Sequence, residues 1–88
     1  MTPHASQPGP DVSYPCRWRY QVMGASEEGV REAITRAAAG HEHSVTFSRR
    51  SRTGRYCSFH LELIVVDEAH RDDVFRALRD HRDVQFVL

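Results

Sequence analysis

Eighty-eight residues make room for one domain with a small core. Twelve basic residues balance twelve acidic ones, and every basic residue is an arginine, so the formal net charge of +0 argues against bulk nucleic-acid binding while leaving a local patch open. Hydrophobic residues make up 40% of the chain, yet no apolar run approaches the ~20 residues of a spanning helix. No basic stretch leading into an apolar core marks a secretory signal; the expected location is the cytoplasm, with Cys16 and Cys57 as free thiols.

Met1 to Ser13 holds Pro3, Pro8, Gly9 and Pro10 among few apolar residues and reads as a solvated, disordered tail, which leaves residues 14–88 as the domain. From Cys16 onward the residues alternate. Trp18, Tyr20 and Val22 share one face and Arg17, Arg19 and Gln21 the other, so the first strand is predicted over Arg17–Met23. Gly24 permits a sharp turn. Ser26 is a candidate N-cap, with Glu27 and Glu28 suited to the positive end of a helix. Val30, Ala33, Ile34, Ala37 and Ala38 form an apolar stripe, so a helix is predicted over Ser26–Ala39, weakened slightly by Gly29 and ended by Gly40.

The stretch from His43 to Asp67 reads as two strands, His43–Ser51 and Arg55–Val66, joined at Thr53-Gly54. Val45 and Phe47 face the core on the first arm, and Phe59, Leu61, Leu63 and Val65 on the second. Ser58, His60, Glu62 and Ile64 form a wetter opposite face, the pattern of a sheet covered on one side. Asp67 is the predicted N-cap of a second helix over Glu68–Asp80, whose buried stripe is Val74, Ala77 and Leu78. The last strand is predicted over Asp83–Leu88, with Val84, Phe86 and the terminal Leu88 facing the core. The β-α-β-β-α-β order with right-handed crossovers gives an α+β, ferredoxin-like βαββαβ sandwich: a four-stranded antiparallel sheet of order 4-1-3-2 with two helices on one face. That topology brings Gly24, the Arg49–Arg55 hairpin tip and Arg82 to one end of the sheet and Cys16 to the other.

The Tyr20-Gln21-Val22-Met23-Gly24 segment, the Ser48–Tyr56 hairpin with its S-x-x-G-x-Y ending and the closing Val84–Leu88 strand resemble the YbeD-like family. The resemblance runs from about Tyr14 to Leu88. It implies a small bacterial cytosolic protein with a fold similar to the ACT regulatory domain, and a regulatory link to lipoate metabolism has been suggested for the family. The Pro-rich leader and the all-arginine basic set depart from the family, and the resemblance brings no catalytic residues.

The candidate site is the hairpin tip, Arg49, Arg50, Arg52 and Arg55, since guanidinium groups bind phosphate and carboxylate in bidentate fashion. Arg50 and Arg52 are expected on the exposed turn, Arg17 and Arg19 on the open sheet face extend the patch, and Gly24 stands beside it. The competing reading is a solvated turn whose charges discourage edge pairing. His41, Glu42, His43, Cys57 and His60 invite a metal, but alternation sends Cys57 and His60 to opposite faces, and a structural zinc site wants four ligands; no metal and no cofactor is expected. Neither cysteine has an evident base beside it, so no catalytic residue is assigned. The expectation is a non-enzymatic regulatory or protein-interaction module, a monomer or weak homodimer, that takes a small anionic ligand or an acidic partner. The alternative is an RNA-binding module of the same topology, which stacks bases on open-face aromatics. Alternation turns Trp18, Tyr20, Phe47 and Phe59 away from that face and leaves only Tyr56.

Overall fold

The computed structural model of the chain describes residues 13–88; the expected leader, Ser13 apart, lies outside the described residues. The elements are β1 (Cys16–Gly24), α1 (Glu27–Ala37), β2 (His43–Arg50), β3 (Cys57–Val65), α2 (Glu68–Asp80) and β4 (Phe86–Val87). They form one four-stranded sheet of order β2-β3-β1-β4, antiparallel at every pairing. This is the predicted strand order. β1 and β3 make the spine, pairing without interruption from Cys16↔Val65 to Gly24↔Cys57.

The core lies between this spine and the helices. Tyr20, Val22, Phe59, Leu61, Leu63 and Val65 from the strands meet Val30, Ala33, Ile34, Val74 and Leu78 from the helices, all buried. Both helices address the same sheet face. The Tyr20 hydroxyl donates to the Arg71 carbonyl of α2 (2.7 Å), and the Arg31 guanidinium of α1 sits 4.8 Å above the Phe59 ring. Both predicted N-caps hold: Ser26 Oγ accepts from Gly29 N–H (3.0 Å) and Asp67 Oδ1 from His70 N–H (2.7 Å). Each satisfies one otherwise orphaned donor of the first turn. α1 ends at Ala37 with Ala38 as its cap, two residues ahead of the predicted end.

Four core assignments fail. Ala77 is exposed, and only Val74 and Leu78 of the predicted α2 stripe are buried, because the face of α2 turned to the sheet is narrower than the stripe. Phe47 points to the helix side as its alternation requires, and its ring meets Phe59 edge-on at 5.4 Å. It remains 44% exposed because β2 packs on β3 and neither helix packs substantially on β2. Phe86 is 52% exposed and Leu88 64%. β4 is only two residues long, and its register sets Val87 beside Val22 on the core face and Phe86 beside Met23 on the other. Val84 is buried all the same. Its N–H donates to the His81 carbonyl, so it enters the core from a turn, not from a strand. Val84 and Val87 are three residues apart, which strict alternation cannot place on one face. Trp18 is half-buried, packed on the rim of the core under the Arg71 guanidinium, 5.0 Å from its ring.

Candidate functional site

The hairpin tip is built by a β-bulge. β2 and β3 pair regularly to Phe47↔Phe59, and the register then slips by one to Arg49↔Ser58 and Arg50↔Cys57. Unbroken alternation from Phe47 would turn Arg49 to the helix side and Arg50 to the open face. The extra residue reverses both. Arg50 therefore reaches the start of α1, where its Nη2 meets Glu27 Oε1 at 2.9 Å. Arg49 shares the open face with Ser58. The loop beyond is closed by Ser51 N–H to the Tyr56 carbonyl (2.8 Å) and Tyr56 N–H to Ser51 Oγ (3.1 Å), with Gly54 at φ +77° making the reversal.

This arrangement encloses an open-face hollow of about 370 Å³, lined among others by Gln21, Met23, Arg49, Arg52, Tyr56 and Ser58. Its floor is polar and fixed, since Gln21 Nε2 donates to the buried Ser58 Oγ at 3.0 Å. Its rim carries the two cations. Among the described residues neither the Arg49 nor the Arg52 guanidinium has a hydrogen-bond or ion-pair partner, whereas Arg50 is neutralised by Glu27. Two uncompensated guanidiniums over a concave polar floor can hold one phosphate or carboxylate, and Tyr56 and Met23 offer an apolar wall to whatever bears it.

The structure thus divides the predicted cluster. Arg49 and Arg52 converge on the hollow. Arg50, expected on the exposed turn, is committed to α1. Arg55 stands at the loop and does not line the hollow. Arg17 and Arg19 lie on the open face as expected but do not extend this patch: both hold Glu62, at 3.6 and 3.2 Å. Arg17 is also six residues up β1 from Met23, about 20 Å away at the strand rise. Gly24 does not line the hollow. It is buried, and a Cβ there would lie 2.1 Å from the Asp83 carbonyl oxygen and 2.7 Å from Val30 Cγ2. Its role is to let the turn after α2 close onto the end of β1. Gly29 serves the same contact from α1, where a Cβ would lie 2.4 Å from the Asp83 carboxylate.

The histidines and thiols separate as expected. His43 Nδ1 donates to the His41 carbonyl (2.9 Å), and the His41 ring stacks on His70 with centroids 4.3 Å apart. His60 sits opposite Gln21 on the open face. Cys57 is buried behind the hairpin, its thiol donating to the Gly24 carbonyl (3.5 Å) and pushed up in pKa by burial. Sequence reasoning missed one grouping, Glu32, His81 and Asp83, whose donor atoms lie within 4.8 Å of one another. No local spacing could have signalled it, because Glu32 belongs to α1 and the others follow α2. The Asp83 N–H donates to His81 Nδ1 (3.1 Å), which places the neutral ring's proton on Nε2, toward Glu32 at 4.0 Å. That nitrogen offers a proton where a metal needs a lone pair, so the group is a clamp on the turn.

Comparison with known proteins bears on the family and the fold. A family model described as a protein of unknown function, DUF493, matches residues 10–88. A UPF0250 protein of Idiomarina loihiensis is 26% identical over 80 residues, covering 88% of this chain and 90% of its own. Another, from Neisseria meningitidis, is 28% identical over 82 residues, covering 88% and 89%. A solution structure of HP0495 from Helicobacter pylori superposes with a TM-score of 0.79 at 22% identity, over 100% of this chain and 96% of that one, and shares the fold. No helix among the described residues is long and apolar enough to cross a membrane. The chain belongs to the DUF493, or UPF0250, family of small bacterial proteins of unknown function, the YbeD-like family that its motifs resemble.

Proposed function

We propose that this chain is a non-catalytic regulatory or interaction module of the cytoplasm, a ferredoxin-like sandwich that holds an anionic group on Arg49 and Arg52. The observation that carries this reading is that Arg49 and Arg52, without an ion-pair partner among the described residues, both line one hollow whose floor is the Gln21–Ser58 pair, while Arg50, between them in sequence, is neutralised elsewhere. Helices on one sheet face leave the other open to a small anionic ligand or an acidic side chain of a partner. A non-catalytic role is supported by the state of Cys57. It is the thiol nearest the hollow, and it is buried, kept protonated and, among the described residues, hydrogen-bonded only to the Gly24 carbonyl.

RNA binding is the second reading, favoured by Phe86. The register of β4 puts this ring, half exposed, beside Met23 on the open face. With Tyr56 it makes two aromatics near two free arginines, the combination on which single strands stack.

Calorimetric titration with pyrophosphate, citrate and a mixed-sequence single-stranded RNA tests both. Replacing Arg49 and Arg52 together by Ala should weaken anion binding by roughly tenfold or more, as loss of charge-assisted bonds implies, and Arg50→Ala should leave it unchanged. Binding should fall as salt rises. Sub-micromolar RNA affinity that survives physiological salt, and that Tyr56→Ala or Phe86→Ala weakens by about 1–3 kcal/mol, would establish the RNA reading instead. If the double variant binds every anion as the wild type does, the tip is a solvated turn.

A further inference from the structure

Among the described residues, β1 is paired along its whole length on one side only. β3 covers Cys16 through Gly24. On the other side β4 reaches Val22 and Met23, with one further step at Gln21, which exchanges both backbone bonds with Leu88 (3.1 and 2.9 Å). In an antiparallel ladder, residues that exchange bonds with the same neighbour recur at every second position. Arg19 and Arg17 therefore turn their N–H and C=O groups to the side on which Gln21 meets Leu88. Among the described residues no backbone group meets them there. Two donors and two acceptors stand open at the spacing that an extended chain satisfies.

Both flanks of this edge are shaped. On the helix side lies a notch of about 210 Å³ lined by Trp18, Tyr20, Arg71, Asp72, Phe75 and Leu88. On the open face, Arg17 and Arg19, with side chains 65% and 60% exposed, share the single carboxylate of Glu62. Two cations on one anion leave a positive charge over.

We infer that this edge accepts an extended segment of another protein, laid antiparallel to β1 in line with β4. Acidic residues of that segment stand opposite Arg19 and Arg17, and the residue between them turns its apolar side chain into the notch. Charge selects this occupant. A second copy pairing through the same edge would set Arg17 and Arg19 against one another, and like charges facing across a sheet are destabilising. The copy's other free edge, β2, ends in Arg49 and Arg50 and does no better. An acidic strand answers both arginines and the open backbone at once. This edge is separate from the hairpin hollow, and neither proposal depends on the other.

The test is residue-resolved amide exchange and chemical shift on the full chain, titrated with two short blocked peptides, one alternating Glu with Val and one alternating Lys with Val. The glutamate peptide should give saturable shifts centred on Arg17–Arg19 and slow exchange of those two amides by about tenfold or more, while Tyr20, already bonded to β3, is unchanged. The lysine peptide should not saturate. Replacing Arg17 and Arg19 by Glu should reverse the preference. Fusing each peptide after Leu88 raises its effective concentration to roughly the millimolar range, and the same protection should appear with the glutamate sequence alone. Arg17 and Arg19 amides as protected as Tyr20 in the free chain would overturn the inference. So would equal binding of the two peptides, shifts confined to Arg49 and Arg52, or no protection even in the fused form.

Discussion

Replacing Gly24 by Ala tests the close approach of the 81–84 turn to the end of β1. A Cβ at this position would stand 2.1 Å from the Asp83 carbonyl oxygen and 2.7 Å from Val30 Cγ2. The first neighbour is backbone and cannot rotate away. To reach van der Waals distance the 81–84 turn must lift off β1 by about 1 Å, and overpacking of this kind costs roughly 1–3 kcal/mol. The turn is not free to move. The Asp83 N–H is bonded to His81 Nδ1, the Val84 N–H to the His81 carbonyl, and the Gln85 N–H to the Met23 carbonyl at 2.8 Å. Displacement would also draw Val84 out of the core. The upper end of the range, about 3 kcal/mol, is therefore expected. Domains of this size unfold at about 5–15 kcal/mol, and 1 kcal/mol shifts the midpoint by roughly 4–8 °C, so Tm should fall by roughly 12–24 °C. Urea unfolding with an unchanged m-value would assign the loss to the folded state. A loss under about 1 kcal/mol would refute the reasoning, because the turn would then not rest on β1 as described. A folded Gly24→Ala chain that keeps its anion affinity would also confirm that Gly24 is a packing residue.

Two other outcomes follow from buried groups. Burial pushes the Tyr20 hydroxyl up to about 12, whereas in the unfolded chain it titrates near 10. Above pH ~10 the unfolded state releases this proton and the fold keeps it, so stability is full below that point and declines through about pH 12. Tyr20→Phe should flatten this part of the urea-derived profile while costing about 1 kcal/mol at neutral pH through the lost bond to the Arg71 carbonyl. Cys16 and Cys57 should form no disulfide with each other, since they end opposite strands of one ladder. Eight residue steps along β1 put them about 26 Å apart, far beyond the ~7 Å Cα limit; an intramolecular bond found by mass spectrometry in the native protein would contradict the register. Cys16 should also react with an exposed-thiol reagent well before the buried Cys57, whose thiol burial keeps protonated.

Local physics was legible in the chain wherever one rule governed a stretch of residues. Alternation in Cys16–Met23 and Phe59–Val65 set the inward and outward faces of β1 and β3, because side chains on a strand must alternate. Ser26 and Asp67 marked the helix starts, because a first turn needs an oxygen for its free N–H groups. With two helices and four strands so placed, short right-handed connections left one strand order.

What only the tertiary structure decided are matters of registration between segments that share no local rule. The bulge after Phe47 comes from how β2 meets β3, and it sends Arg49, not Arg50, to the open face. The burial of Phe47 depends on whether a helix happens to cover the edge strand, which its own alternation cannot state. Val84 is buried from a turn, and Phe86 faces outward, because Gly24 and Gly29 leave space into which the residues after α2 settle. Among the described residues half of β1 is left unpaired on one side because β4 engages only its last residues. Glycines read in sequence as a turn former and a weak helix residue prove to be the places where two distant segments touch. The absence of a side chain has meaning only once the neighbour that fills its space is known.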